Sequence, residues 1–387
     1  MFLKLKNITR NIFSVQSPQT SADYVITFLY FKIHIRKPTP KNLFKNVAPN
    51  AVLIFEPQTH HGECLPSYIK YLNDLGFHVD LLLQRKLIDL DPLSRMPQDA
   101  DYSVIPYLPK HCHKILQNKD LLKYKHIIIA TAVFTYYPQK GVTQEFPIFN
   151  QIPSVYLIEH DTTEIDVHHE RAYLDRGKVF TLWDFSIAKM LNPCYFGNVK
   201  ITPKNPSSET IFITIGAFEG KRRNHLLLFE SIEKLIDLKQ KFHVIIIGRN
   251  QNAYNIPEKI KPFITITGYL TYPQMYDQIE NADFLLTLLD SNNEEHNRYT
   301  STGVTGSIQL ILGFAKVPLI QKKFADFYGF NAQNALVYTD NLTDCMLEAI
   351  KMPKQKYKTC QEMLIKKQLE IFKKSENNLK EVFKQTS

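Results

Sequence analysis

A chain of 387 residues that is 44% apolar is long enough for two domains of ordinary size, each with a core. Its net charge of +9 sits at the ends, +7 on residues 1–46 and +6 on residues 351–387, leaving −4 between them, which argues against a nucleic-acid-binding core. Five cysteines (Cys64, Cys112, Cys194, Cys345, Cys360) show no paired or metal-ligand spacing, and the longest apolar stretch, YVITFLYFKIHI, is broken by Lys32 and His34 and is too short to cross a bilayer.

Taken together these features predict a cytoplasmic protein with reduced thiols, bound peripherally by its basic ends to an anionic membrane surface. Residues 1–46 read as an appendage. MFLKLKNITRNIF mixes cations with apolar residues, and DYVITFLYFKIHIRK is aromatic, β-branched and basic. Such a segment suits either an interfacial attachment or a β-hairpin packed on the domain that follows.

An α/β unit begins at Ala51. AVLIFEP predicts a buried strand, Gln58 to Glu63 a polar loop, LPSYIKYLNDLG a helix stopped by Gly76, and FHVDLLL a second strand. The pair His60-His61 lacks HExxH spacing, so no metal is expected there. Residues 84–120 are irregular apart from YSVIPYL. YKHIIIATAVF and IPSVYLIEHD predict two further buried strands, the second ending on His160 and Asp161. A polar, proline-bearing linker lies near Asn198 to Ser208.

The next segment alternates strand and helix. IFITIGAF predicts a strand ending at Gly216 and is followed by Lys221-Arg222-Arg223. NHLLLFESIEKLIDL predicts a helix, FHVIIIGRN a strand ending at Gly248, ITITGYL and DFLLTLLD further strands around the helix YPQMYDQIENA, and TSTGVTGSIQLILGFAKVPLI a turn, helix and strand. Two places here suit an anion. One is the loop after Gly216, with Lys221 and Arg222. The other is Thr302-Gly303-Val304-Thr305-Gly306-Ser307, before an apolar helix whose free N–H groups attract phosphate. DCMLEAIKM predicts a helix. From about Lys354 a basic amphipathic helix runs to the end, with Ile365, Leu369, Phe372, Leu379 and Phe383 at helical spacing.

The order IGAFEGKRRNHLL, VIIIGRN, ITGYLTYPQMYDQIENADFLL, TGSIQLILGFAKVPLI resembles the nucleotide-sugar-binding half of GT-B glycosyltransferases. The likeness is to the retaining family 4 (glycosyltransferase group 1), which includes enzymes of bacterial surface polysaccharides. The strand, loop and helix from Ala51, with Gly62 and Glu63 in the loop, are similar to the start of that fold's N-terminal domain, and IPSVYLIEHD to the strand that ends on its donor-site histidine. The resemblance implies an α/β GT-B fold of two Rossmann-like domains facing a cleft: an appendage at 1–46, an acceptor domain at 47–200, a nucleotide-sugar domain at 201–350, and a final helix at 351–387 crossing back to the first domain.

It implies transfer of a sugar from a nucleotide-diphosphate sugar to a hydroxyl of a cell-surface glycan or glycolipid, with retention and without metal or other cofactor. Lys221 and Arg222 would neutralise the diphosphate beside Gly216, Gly248, Thr302, Gly303, Gly306 and Ser307. His160 would line the donor sugar, and Glu294 or Glu295 would bind its hydroxyls. The family's second glutamate in this region has no counterpart, since the helix reads Ile308-Gln309-Leu310-Ile311. An inverting enzyme would instead need Glu63 or Asp161 as base. A non-catalytic GT-B-like membrane subunit is the alternative of another class.

Overall fold

The computed structural model describes residues 13–16, 23–28, 31–36, 43–44, 46–132, 147–167, 171–204, 209–250 and 254–384. Near the N-terminus, β1 (Phe13–Gln16), β2 (Asp23–Phe28) and β3 (Phe31–Arg36) form an antiparallel three-stranded sheet of their own. The interfacial attachment expected of residues 1–46 depends on side chains that lie outside the described residues.

The first α/β domain is a seven-stranded, wholly parallel sheet. Its strands are β4 (Ala51–Glu56), β5 (His78–Gln84), β6 (Tyr102–Tyr107), β7 (His126–Ile129), β8 (Ser154–Glu159), β9 (Val179–Thr181) and β10 (Lys189–Met190), in the order β10-β9-β8-β7-β4-β5-β6. All six residues of β4 and of β8 are buried, as strands covered on both faces require. Helix α1 (Leu65–Asp74) starts with a proline in its first turn and lays Leu65, Tyr68, Ile69 and Leu72 against the sheet. The region 84–120, expected to be irregular, also holds short helices at Arg85–Asp89 and Cys112–Leu116.

The second domain is a six-stranded parallel sheet, ordered β13-β12-β11-β14-β15-β16. Its strands are β11 (Thr210–Ile215), β12 (Phe242–Ile247), β13 (Ile264–Gly268), β14 (Phe284–Leu286), β15 (Val317–Gln321) and β16 (Leu336–Tyr338). Its longer helices are α2 (His225–Asp237), α3 (Tyr272–Asn281), α4 (Gly306–Phe314) and α5 (Leu342–Lys351), with a short one at Lys322–Tyr328. The strand expected over DFLLTLLD stops at Leu286. Leu288 turns to φ 50°, and its carbonyl accepts from Asn224 N at 2.8 Å, which pulls this segment to the N-cap of α2.

Two buried lysines fasten the linker. Lys204 Nζ donates to the carbonyls of Ala349, Ile350 and Met352 at 2.8–3.0 Å, capping the end of α5. Lys316 Nζ reaches Thr202 Oγ1 at 2.7 Å and the carbonyls of Glu280 and Ala282 at 2.9 and 2.5 Å. The last helix, α6 (Lys354–Lys384), buries Tyr357, Cys360 and Leu364 early and Ser375, Leu379, Val382 and Phe383 late. Its late turns lie on the first domain: Phe383 stacks on His126 at 4.3 Å, Phe372 meets Tyr71 at 4.4 Å, and Ser375 Oγ accepts from Asn192 N at 3.0 Å. Leu369, assigned by spacing to the apolar face, is 58% exposed, one position off the stripe. All five cysteines are buried and none is in a disulfide, and no described helix is long and apolar enough to cross a membrane.

Candidate active site

In open parallel sheets ligands gather at the carboxyl ends of strands, where the strand order reverses. That point falls between β11 and β14 in the second domain and between β4 and β7 in the first. Both are built from strand ends that the sequence supplies with glycine or a polar residue.

In the second domain β11 runs into Gly216, which lies against Gly248, the residue after β12. A Cβ on Gly248 would sit 1.6 Å from Gly216 O, so a glycine here lets the two strand ends approach. The loop then delivers three cations in a row. Lys221 and Arg222 are exposed and form no ion pair among the described residues, whereas Arg223 is buried. Arg223 Nη2 donates to Ile215 O at 3.0 Å, Thr305 Oγ1 at 2.8 Å and Ser307 Oγ at 3.0 Å, and Nη1 donates to Arg222 O at 2.6 Å. Its guanidinium therefore ties the β11 loop to the start of α4. Every one of these acceptors is neutral. Burial lowers its pKa, and no carboxylate opposes that shift. The site carries a buried positive charge that no carboxylate among the described residues pairs with, and the sequence reading passed it over in favour of Lys221 and Arg222.

Helix α4 opens beside it. Thr305 is the N-cap, accepting from Ser307 N at 3.4 Å; Ser307 is buried, and Gly306 is exposed with open space around it. Gly306 thus opens the first turn next to Arg223, while the Ser307 and Ile308 amides are engaged by Thr305. Behind them, fully buried His296 accepts from Asp290 N at 2.9 Å through Nδ1 and hydrogen-bonds the Lys221 backbone, locking two loops together. Glu294 and Glu295 lie on the short helix Glu294–Thr300, both exposed; they are on the same loop system as the cations but are not drawn into the interior.

In the first domain β4 ends in Glu56, β7 leads to Thr131, and β8 ends before His160. Glu56 is fully buried, accepting from Gln58 N at 2.7 Å and Thr131 Oγ1 at 2.8 Å. Burial pushes its carboxyl up to about 7, against the charge of His61 and these hydrogen bonds. His160 Nε2 lies 3.0 Å from Ala130 O, so that nitrogen carries the proton and Nδ1 is left as an acceptor. Burial and then the charge of His61 hold His160 down at about 3, so the ring is neutral at any working pH. Glu63 accepts from the Tyr272 hydroxyl at 2.8 Å and lies 3.8 Å from His61 Nδ1. Burial opposes its charge, but these partners outweigh burial and hold it down at about 2. Gly62 packs between Leu87, Pro92 and Tyr272.

The two domains meet across this cleft. Asp161 pairs with Arg298 at 2.6 Å, Thr162 N donates to Thr302 O at 2.8 Å, and Asp161 and Gly303 form an antiparallel bridge. Arg95 pairs with Asp277 and Glu280 on α3. Asp161, Thr302 and Gly303, read from the sequence as site residues, also make contacts between the domains. Burial opposes the charge of Asp161, but its hydrogen bonds from Thr163 and the Arg298 charge lower its pKa. Among the described residues no group of three His, Cys, Asp or Glu side chains is placed to hold a metal ion.

Glu56 gives a direct pH test. Its folded pKa of about 7 stands above the ordinary 4.5, so the folded state binds the proton more tightly, and stability falls as pH rises from 4.5 through 7. Glu56→Gln removes that loss. The variant should match the parent near pH 5 and exceed it at pH 8 by roughly 1–3 kcal/mol. Urea unfolding at the two pH values reads this, and equal differences at both would contradict it.

No protein-family model and no curated protein matches the sequence. Solved structures do. A glycosyltransferase from Rickettsia africae ESF-5 superposes with TM-score 0.59 at 12% identity, over 87% of this chain and 98% of that one. An alpha-glucosyltransferase solved with UDP and a 13-mer DNA containing a HMU base superposes with TM-score 0.55 at 15% identity, over 84% and 99%. At such identities the likeness is one of fold, and it covers both domains and the cleft: the chain has the α/β GT-B fold of glycosyltransferases.

Proposed function

We propose that the chain is a glycosyltransferase whose cleft takes a nucleotide-diphosphate sugar and passes the sugar to a hydroxyl of a glycan or glycolipid. The observation that carries this reading is the buried Arg223, paired with no carboxylate among the described residues, beside the exposed Gly306 at the start of α4 and beside Lys221 and Arg222, which form no ion pair among those residues. Such an arrangement is complementary to a diphosphate and costs no reorganisation as charge develops on it. The alpha-glucosyltransferase that shares the fold was solved with UDP, which fits the same ligand class.

In the reaction the bond between the anomeric carbon and the phosphate oxygen breaks, and its electron pair leaves with the diphosphate. The acceptor oxygen bonds to that carbon and gives up its proton. Glu63 and Asp161, the carboxylates an inverting route would use as base, are both stabilised as anions by partners and are weak bases. The departing phosphate is the better proton acceptor, which favours retention. His160 Nδ1 would accept from a sugar hydroxyl. No metal is required, because the cations and the Gly306 amide already neutralise the leaving group.

The test is release of nucleotide from a panel of nucleotide sugars, with and without candidate acceptors. Lys221→Ala and Arg222→Ala should each weaken donor or transition-state binding by about 1.5–3 kcal/mol. Turnover in neither the parent nor any variant, or full turnover in both variants, would sink the reading.

A further inference from the structure

The carboxyl end of β8 faces the cleft, so its amino end, at Ser154, lies about 20 Å away from it. At that amino end the first domain holds a cavity of about 350 Å³. Its floor is apolar, from the buried Ile152, Val155 and Tyr173. Its rim is polar, from the exposed Gln151 and Arg176 and the half-buried Lys178. No carboxylate among the described residues lines it.

The path of the chain puts the two cations there. The short helix Arg171–Leu174 is closed by Gly177 at φ 65°, whose N–H donates to Leu174 O at 2.8 Å, while Lys178 N donates to Tyr173 O at 2.9 Å. Arg176 and Lys178 flank that glycine, and among the described residues both are held by neutral partners. Lys178 Nζ donates to Pro153 O at 2.8 Å and lies 5.9 Å from the centre of the Tyr156 ring. Arg176 Nε donates to Ala172 O at 2.8 Å, and its guanidinium lies 5.2 Å from the centre of the Tyr173 ring. Neither forms an ion pair among those residues, and the two Nη atoms of Arg176 have no hydrogen-bond partner among them. Burial and then the charge of Arg176 lower the pKa of Lys178, as two cations do when no carboxylate offsets them.

We infer that this cavity binds a phosphate group carried by a polyol of glycerol or sugar size. The free Nη edge of Arg176 suits two phosphate oxygens at once, and Lys178 adds a point charge beside it. The volume is larger than a phosphate alone needs and falls in the range of small-molecule sites. The Gln151 amide, which makes no hydrogen bond among the described residues, can meet a polyol hydroxyl. Such a group is offered by a soluble polyol phosphate and by the headgroup of a phospholipid, and the chemistry that recognises it is the same. The site is separate from the donor cleft and does not depend on the activity proposed for it.

The experiment has two arms, both on the full-length protein. Glycerol phosphate is titrated calorimetrically, and cosedimentation is measured with phosphatidylcholine vesicles that do or do not contain phosphatidylglycerol. Three double variants are compared with the parent. Arg176→Gln with Lys178→Gln should bind roughly tenfold or more weakly in at least one arm, yet melt close to the parent because both side chains lie at the surface. Lys234→Gln with Lys239→Gln removes the same charge at the end of α2 and should bind as the parent does. Lys221→Ala with Arg222→Ala removes cations from the cleft and should bind glycerol phosphate as the parent does. Loss with glycerol phosphate assigns a soluble polyol phosphate, and loss with the anionic vesicles alone assigns a lipid headgroup; either supports the site. No binding by the parent in either arm, parental binding by the Arg176 and Lys178 variant in both, or an equal loss in either of the other two variants overturns it.

Discussion

Arg223→Ala is expected to be among the most damaging single substitutions in the second domain. Its side chain satisfies Ile215 O, Thr305 Oγ1, Ser307 Oγ and Arg222 O, and truncation strands those acceptors in a dry loop. A loss of about 3–5 kcal/mol of stability follows from that mechanism, together with loss of donor binding. Arg223→Lys keeps the charge, but one ammonium cannot occupy both the Nη1 position at Arg222 O and the Nη2 position at Ile215 O, Thr305 and Ser307, and the variant should fall between parent and alanine variant. A second readout separates the electrostatic role from the structural one. If a bound diphosphate balances Arg223, donor should raise the parent's melting temperature well above the rise seen with Arg223→Lys at the same concentration. A melting temperature within about 1 °C of the parent for Arg223→Ala, a shift that represents well under 1 kcal/mol, would contradict the account.

The second large effect is on turnover. His160→Ala should lower the transfer rate more than tenfold while costing only about 1 kcal/mol of stability, the worth of its one hydrogen bond to Ala130 O. The ring is neutral, its Nε2–H is already engaged, and only Nδ1 can serve a sugar hydroxyl as acceptor. His160→Asn can offer an oxygen to that hydroxyl and should recover part of the rate. A purely structural histidine would give the opposite pattern: a lower melting temperature and normal activity in the fraction that stays folded. Melting temperature and transfer rate measured on the same preparations decide between them.

The fold was largely legible because its signals are local and repeated. Solid apolar runs such as VIII and YLI can only be strands covered on both sides, and Asn224 and Thr305 sit where helix caps belong. The site was legible as a region more than as residues. Three adjacent cations follow Gly216, but which one turns inward depends on the loop's path over Thr305 and Ser307, about eighty positions away. Glu56 closes an apolar run and reads as an ordinary strand end; only its complete burial in the fold, which outweighs the hydrogen bonds from Gln58 and Thr131, raises its pKa. Nothing in the pair His60-His61 announces the positive φ of His61. Asp161 was paired in the reading with His160, yet its partner Arg298 comes from the other domain. The misassigned Leu369 has a simpler cause. The stripe of α6 must serve one domain with Leu364 and the other with Leu379, and a one-residue phase error cannot be seen in spacing alone over 31 residues.

The most direct test of the central claim is a structure of the protein soaked with a panel of nucleotide sugars. The account predicts diphosphate density at the first turn of α4, with its oxygens within hydrogen-bond distance of the Gly306 amide and facing Arg222. A nucleotide bound elsewhere, or an empty cleft at saturating concentrations of every donor, would contradict it.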